Sequence, residues 1–184
     1  MAGSLIKIDE FTVSSAVASV TIGGGSSGSS GLNTSIDSTY DVYKLVVSSL
    51  KPVTDAVSVQ MRFTASGTPD TSSNYDRAFR NYRADTSFGD IYNTNQTYIS
   101  AHGTGTETSG QEMINYVFYL FNFNNASEYS FCTMEASIIN DGGNLRGFNG
   151  GAVLTVAQAT DGVNYSFTSG NIASGKFKLY GLKK

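Results

Sequence analysis

Few side chains in this sequence of 184 residues are placed to do chemistry. His102, in the polar run ISAHGTGTETSG, is the natural candidate for a general base. A triad needs a nucleophile and an orienting carboxylate beside it, and no serine lies in a G-x-S-x-G elbow between strand and helix signals. His102 therefore reads as an exposed loop residue. Glu107, Glu112, Glu128 and Glu135 are candidates for the paired carboxylates of a glycosidase. Glu135 stands out because it interrupts the strand-like SFCTMEASII, but a solvent-facing position on an alternating strand explains it equally well, and no second carboxylate can be assigned to its face. NDGGN and TDGVN place Asp and Asn beside Gly without the spacing of a calcium loop, and they read as turns. Cys132 is the lone cysteine and sits in an apolar run, so neither a disulfide scaffold nor a zinc site is available. The expectation is a non-enzymatic protein with no catalytic residue, no metal and no cofactor.

The second kind of chemistry is recognition. NYDRAFRNYRAD carries Arg77, Arg80 and Arg83 at three-residue spacing, with Tyr75 and Tyr82 among them. Arg and Tyr anchor interfaces through planar hydrogen bonding and stacking at modest entropic cost, so these five residues are the candidate partner contacts. Three-residue spacing aligns side chains on a helical turn and scatters them over both faces of a strand; one helical turn or two is the reading taken for this segment. Asp76, Asp85 and Asp90 stand close enough to neutralise the arginines internally. YVFYLFNFNN is a second candidate surface, because Tyr116, Phe118 and Leu120 cannot share a face with Val117, Tyr119 and Phe121. Its second face needs cover from another subunit or from the protein's own loops.

The elements that must position these residues are strands. In AVSVQMRF, Val57, Val59, Met61 and Phe63 alternate with Ser58, Gln60 and Arg62, which predicts one core face and one solvent face. YDVYKLVVSSL, VNYSF, the opening SLIKI and the closing KFKLYGL behave alike, and Gly, Asn, Asp and Ser clusters punctuate the chain between them. No helical stretch of a dozen residues separates the strands, so a parallel α/β fold is excluded. The expectation is all-β: a single domain over residues 1–184, an antiparallel two-sheet β-sandwich of jelly-roll or lectin-like type with roughly nine to eleven strands. Its ends, SLIKI and KFKLYGL, are expected to pair. GGGSSGSSG at 23–31 is expected to be a flexible loop, with residues 1–22 as an arm on a neighbouring subunit being the alternative.

Composition excludes further classes. Charged residues make up only 15% of the chain against about 25% in typical soluble domains, so Ser, Thr, Asn, Gly and Tyr must clothe the surface, which suits contact with protein or sugar. A net charge of −3 argues against nucleic acid. No segment approaches 18 uninterrupted apolar residues, and MAGSLIKIDEFTV lacks a basic segment followed by a long apolar one, so no membrane association and synthesis in the cytoplasm are expected. The N-x-[ST] sequons at Asn33, Asn95, Asn125 and Asn164 are accordingly discarded.

YDVYKLVVSSLKPVTDAVSVQMRFTASGTPDTSSNYDRAF, together with the terminal SGNIASGKFKLYGLKK, resembles a set of small β-rich virion proteins of tailed bacteriophages, particularly those of marine cyanobacterial phages. The matched positions are patterns of strand and turn, and no catalytic or binding residue transfers with them. The resemblance implies a virion structural protein: a capsid decoration or cement protein, or alternatively a receptor-binding module of a tail or capsid fibre that recognises host glycans. Its partners would be other virion proteins, with the major capsid protein and copies of itself foremost.

Overall fold

A computed structural model describes residues 4–24, 30–32, 34, 36–100, 112–140 and 142–182. Among these residues there is no helix. Eleven strands of five residues or more and two of two residues form two sheets, against the nine to eleven strands expected.

The larger sheet holds eight strands: β1 (Leu5–Thr12), β4 (Val42–Pro52), β7 (Tyr75–Arg83), β8 (Gly89–Gln96), β9 (Ile114–Phe121), β10 (Ser130–Ile139), β11 (Leu145–Leu154) and β13 (Ile172–Leu182). The smaller sheet holds β2 (Ser19–Gly23), β3 (Gly31–Leu32), β5 (Val59–Ala65), β6 (Thr68–Pro69) and β12 (Gly162–Phe167). Spatial order is β1-β13-β4-β9-β10-β11-β7-β8 in the first and β3-β2-β12-β5-β6 in the second, with every pair antiparallel except β2 and β3.

Period-two alternation builds the layers. In β5, Val59, Met61 and Phe63 are buried while Gln60 and Arg62 face outward. The turn that follows has Ser66 and Gly67 at φ of 50° and 72°, two left-handed residues in succession as a type I′ hairpin requires. β9 buries Ile114, Tyr116, Phe118 and Leu120 and turns Asn115, Val117, Tyr119 and Phe121 outward. The inner faces of the two sheets meet in one continuous core. A chain of rings stitches them together: Phe118 lies 6.1 Å from Tyr165, and Tyr165 lies 5.5 Å from Phe177, so strands of both layers share each contact. Such pairs contribute about 0.5–1.5 kcal/mol each beyond the area they bury.

The two ends of the chain pair as the sequence suggests. β1 runs antiparallel to β13 from Leu5 opposite Leu182 to Thr12 opposite Lys176. β13 in turn pairs with β4 and buries Phe177 and Leu179 completely. The rim formed by β1 is blunted by a bulge between Lys7 and Asp9 and by the Lys7–Glu10 ion pair, devices that discourage edge-to-edge aggregation. Residues 25–29, the middle of the expected flexible loop at 23–31, lie outside the described residues.

The helical reading of DRAFRNYRAD is corrected: these residues form β7 and continue beyond its end. β7 pairs with β11 along its whole length, and tertiary pairing overrides a local spacing that mimics a helix.

Candidate functional site

The candidate site is the outer face of the eight-stranded sheet, the side turned away from the core. Register puts eight outward-facing positions in one row across all eight strands. Lys7, Tyr180, Lys44 and Tyr119 occupy β1, β13, β4 and β9; Thr133, Gly151, Ala78 and Tyr92 follow on β10, β11, β7 and β8. The first half of the row is bulky and cationic, with the Lys44 ammonium 5.4 Å from the centre of the Tyr119 ring. The second half is floored by small residues. A Cβ at Gly151 would approach only the Cys132 carbonyl, at 3.2 Å, so the floor is open on the outer side. Beside it stand Phe131, opposite Val153, and Tyr92, which is 75% exposed. Together they enclose a shallow depression of about 810 Å3, with Asp76 on its lining.

Gly150 makes this floor possible. It holds φ of +153°, and a Cβ there would fall 2.2 Å from the Ala78 carbonyl, so only glycine lets β11 lie this close to β7.

The five residues picked from the sequence separate across the sheet. Tyr75 is fully buried; its hydroxyl accepts the Phe63 amide N–H at 3.0 Å and donates to the Asp70 carbonyl at 3.1 Å. Arg77 is half-buried, donating to the Ser100 carbonyl at 2.8 Å and twice to Asn93 Oδ1, at 3.1 and 2.9 Å. The Arg83 Nε is buried with no hydrogen-bond partner. Only Arg80 and Tyr82 stand on the outer face. Arg80 pairs with Asp90 at 2.6 Å. Tyr82 packs over Gly147, donates its hydroxyl hydrogen to Asn149 Oδ1 at 3.0 Å, and meets the edge of Phe88 at 5.3 Å.

The acid–base candidates do not converge among the described residues. Glu135 is exposed on the outer face, Glu128 is exposed in the turn before β10, and Glu112 is buried ahead of β9. His102 and Glu107 lie outside the described residues. Among the described residues no three His, Cys, Asp or Glu side chains group as metal ligands. In TDGVN, Asp161 accepts the Thr64 hydroxyl at 2.7 Å and the Gly67 N–H at 3.0 Å, so it serves the turn. Cys132 is buried, and burial pushes its thiol up to about 12, far from a nucleophile. Asn164 of the fourth sequon is buried and donates to the Thr21 hydroxyl at 2.9 Å.

Sequence reasoning missed the row itself. The alternation in KFKLYGL and SFCTMEAS already separates Lys176, Lys178 and Tyr180, or Phe131, Thr133 and Glu135, from the buried positions. Nothing local says that these strands share one face.

No protein-family model matches the chain, and no curated protein matches it. No helix among the described residues is long and apolar enough to cross a membrane.

Proposed function

We propose that the chain is a non-enzymatic structural protein of a bacteriophage virion: a capsid decoration or cement protein of jelly-roll type, bound in many copies through contacts with the major capsid protein and with itself. The observation that carries this reading is the outer face of the eight-stranded sheet. Val46, Val117, Tyr119, Phe121, Phe131 and Val153 form an apolar band there that no second layer of the described residues covers. Large uncovered apolar patches on a folded domain are contact surfaces, and a stable one buries upward of about 1,000 Å2 in total. The likeness of the strand and turn patterns to tailed-phage virion proteins supplies the assembly.

The test is immunogold labelling of intact particles, with re-addition of purified protein to particles that lack it. Label on the shell and saturable rebinding are expected. Unlabelled particles that take up no protein would overturn the reading.

A second reading, a fibre module that recognises host glycans, draws on the depression between Tyr92 and Phe131, where rings and the Asp76 carboxylate suit a sugar's apolar face and hydroxyls. Label on the tail, with hits on a glycan array, would favour it.

A further inference from the structure

The depression on the β8 side of the sheet has the volume of a ligand site: about 810 Å3, within the range of about 300–1,000 Å3 over which small molecules are held. Gly151 and Ala78 make its floor, and Val153 and Asp76, opposite each other on β11 and β7, close one end. Two rings flank it, Phe131 on β10 at 42% exposure and Tyr92 on β8 at 75%. Those strands stand three spacings apart, about 14 Å.

Three polar groups on the lining are unspent. One Asp76 oxygen accepts the Asn95 N–H at 2.9 Å, and the other has no partner among the described residues. The exposed Thr94 and Thr133 hydroxyls have none there either. Arg77 also borders the depression, but its guanidinium is taken by Ser100 and Asn93, so Asp76 sets the charge that a ligand meets.

This lining rejects most classes of ligand. An anion would face the Asp76 carboxylate with no free cation to offset it. A metal ion would find one carboxylate and two hydroxyls, short of a coordination shell. A wholly apolar molecule would cover all three polar groups and leave them unpaired. What fits is neutral, apolar on its faces and rich in O–H donors around its rim, which describes a pyranose.

We infer that the depression binds a neutral oligosaccharide of two or more pyranose units, one against Tyr92 and another against Phe131, with a hydroxyl donated to the free Asp76 oxygen. The span sets the length, because one pyranose cannot reach both rings. The inference rests on the second reading, in which this face stays open: Phe131 and Val153 belong to the apolar band as well, and a capsid protein seated there would cover them.

Each group has its own task. The C–H face of a pyranose is slightly positive and lies on the negative face of an aromatic ring. The small floor lets the sugar sink until its hydroxyls reach Thr94 and Thr133. A hydrogen bond to a carboxylate is stronger than one to a neutral acceptor, so Asp76 orients the sugar.

Nuclear magnetic resonance titration of the full chain, followed through the Ala78 and Gly151 amides, tests the site. Cellobiose, lactose and maltotriose are the neutral probes, glucose the single unit and sialyllactose the acidic one. With probes at up to about 10 mM, enough to approach saturation at a Kd of about 1 mM, at least one neutral probe is expected to shift both amides. Glucose and sialyllactose are expected to bind about tenfold more weakly or worse. Tyr92→Ala and Phe131→Ala should each weaken binding about threefold to tenfold, and Asp76→Asn about tenfold to a hundredfold. Ala78→Leu, which fills the floor from the outer side and leaves the core untouched, should abolish it. Circular dichroism and an unchanged melting temperature show that each variant is folded. No shift with any neutral probe, a stronger response to sialyllactose, or binding that survives both Asp76→Asn and Ala78→Leu would each overturn the inference. Particle labelling is read separately: tail label with a silent titration refutes the sugar and keeps the fibre, while shell label with a positive titration keeps the sugar and refutes the fibre.

Discussion

Tyr75 and Phe63 are joined across the two sheets: the Tyr75 hydroxyl on β7 accepts the Phe63 amide of β5 at 3.0 Å, and the two rings meet edge-on at 5.8 Å. The same hydroxyl donates to the Asp70 carbonyl, so one side chain ties the large sheet to the β5–β6 hairpin. Tyr75→Phe keeps the ring and strands a buried N–H. It is expected to cost about 1–3 kcal/mol, seen as a lower urea midpoint with an unchanged slope. An unchanged midpoint would mean that the hydroxyl carries no weight.

Tyr116 and Tyr165 make the opposite case. Both hydroxyls are buried without a hydrogen-bond partner, around a small gap in the core lined also by Met61, Ile99 and Met134. Tyr116→Phe and Tyr165→Phe remove a desolvated polar group and strand nothing, so each should leave stability within about 1 kcal/mol of the parent or raise it. A loss as large as that of Tyr75→Phe would show that these hydroxyls are satisfied in solution.

The closing strand is the third test. Leu179 and Phe177 are fully buried between β1 and β4. Leu179→Ala is expected to cost about 2–5 kcal/mol and Phe177→Ala about 3–5 kcal/mol. Removing everything after Ser174 should abolish cooperative melting, because β4 loses a neighbour and the core loses a wall. A truncated chain with the parent's melting temperature would contradict the sheet order.

Stability should fall at both ends of the pH scale. The Arg146 guanidinium beside Asp85, and the Thr39 N–H donated to Asp37 at 2.8 Å, hold those two carboxyls below the usual range. The unfolded chain thus takes up their protons first as pH drops past about 4, and stability present above that value is lost as pH falls through the folded values. Burial pushes Tyr43 up to about 12, and raises Tyr75, Tyr116 and Tyr165 as well. Their contribution is complete below about 10, the unfolded value, and is lost as pH climbs through the folded ones. Absorbance at 295 nm should show a component equal to four of the eleven tyrosines that ionises only as the fold opens. Smooth ionisation of all eleven before unfolding would refute the burial of these rings.

The strands were legible where polarity alternates with little interruption. β5 announces itself through Val59, Met61 and Phe63, and β13 through Phe177 and Leu179. β7 hides because its inward set is Tyr75, Arg77, Phe79, Asn81 and Arg83: three of the five are polar, and the Arg77 guanidinium is absorbed by Ser100 and Asn93 well away in sequence. The same fact explains the candidate contacts. Arginine and tyrosine signal an interface only when they face solvent, and the alternation of β7 sends Arg80 and Tyr82 outward and the others in. The outer face was not legible at all, since Lys44, Gly151 and Ala78 come to share one row only through pairings that span the chain.

Leu5 opposite Leu182 has an engineering consequence. The first and last strands meet at one corner, so a linker of a few residues would join Leu5 to Leu182, and an opening in the turn at residues 84–88 would yield a circular permutant with every strand neighbour intact. A peptide fused ahead of Leu5 or after Leu182 would be displayed from that same corner, on the rim farthest from β8.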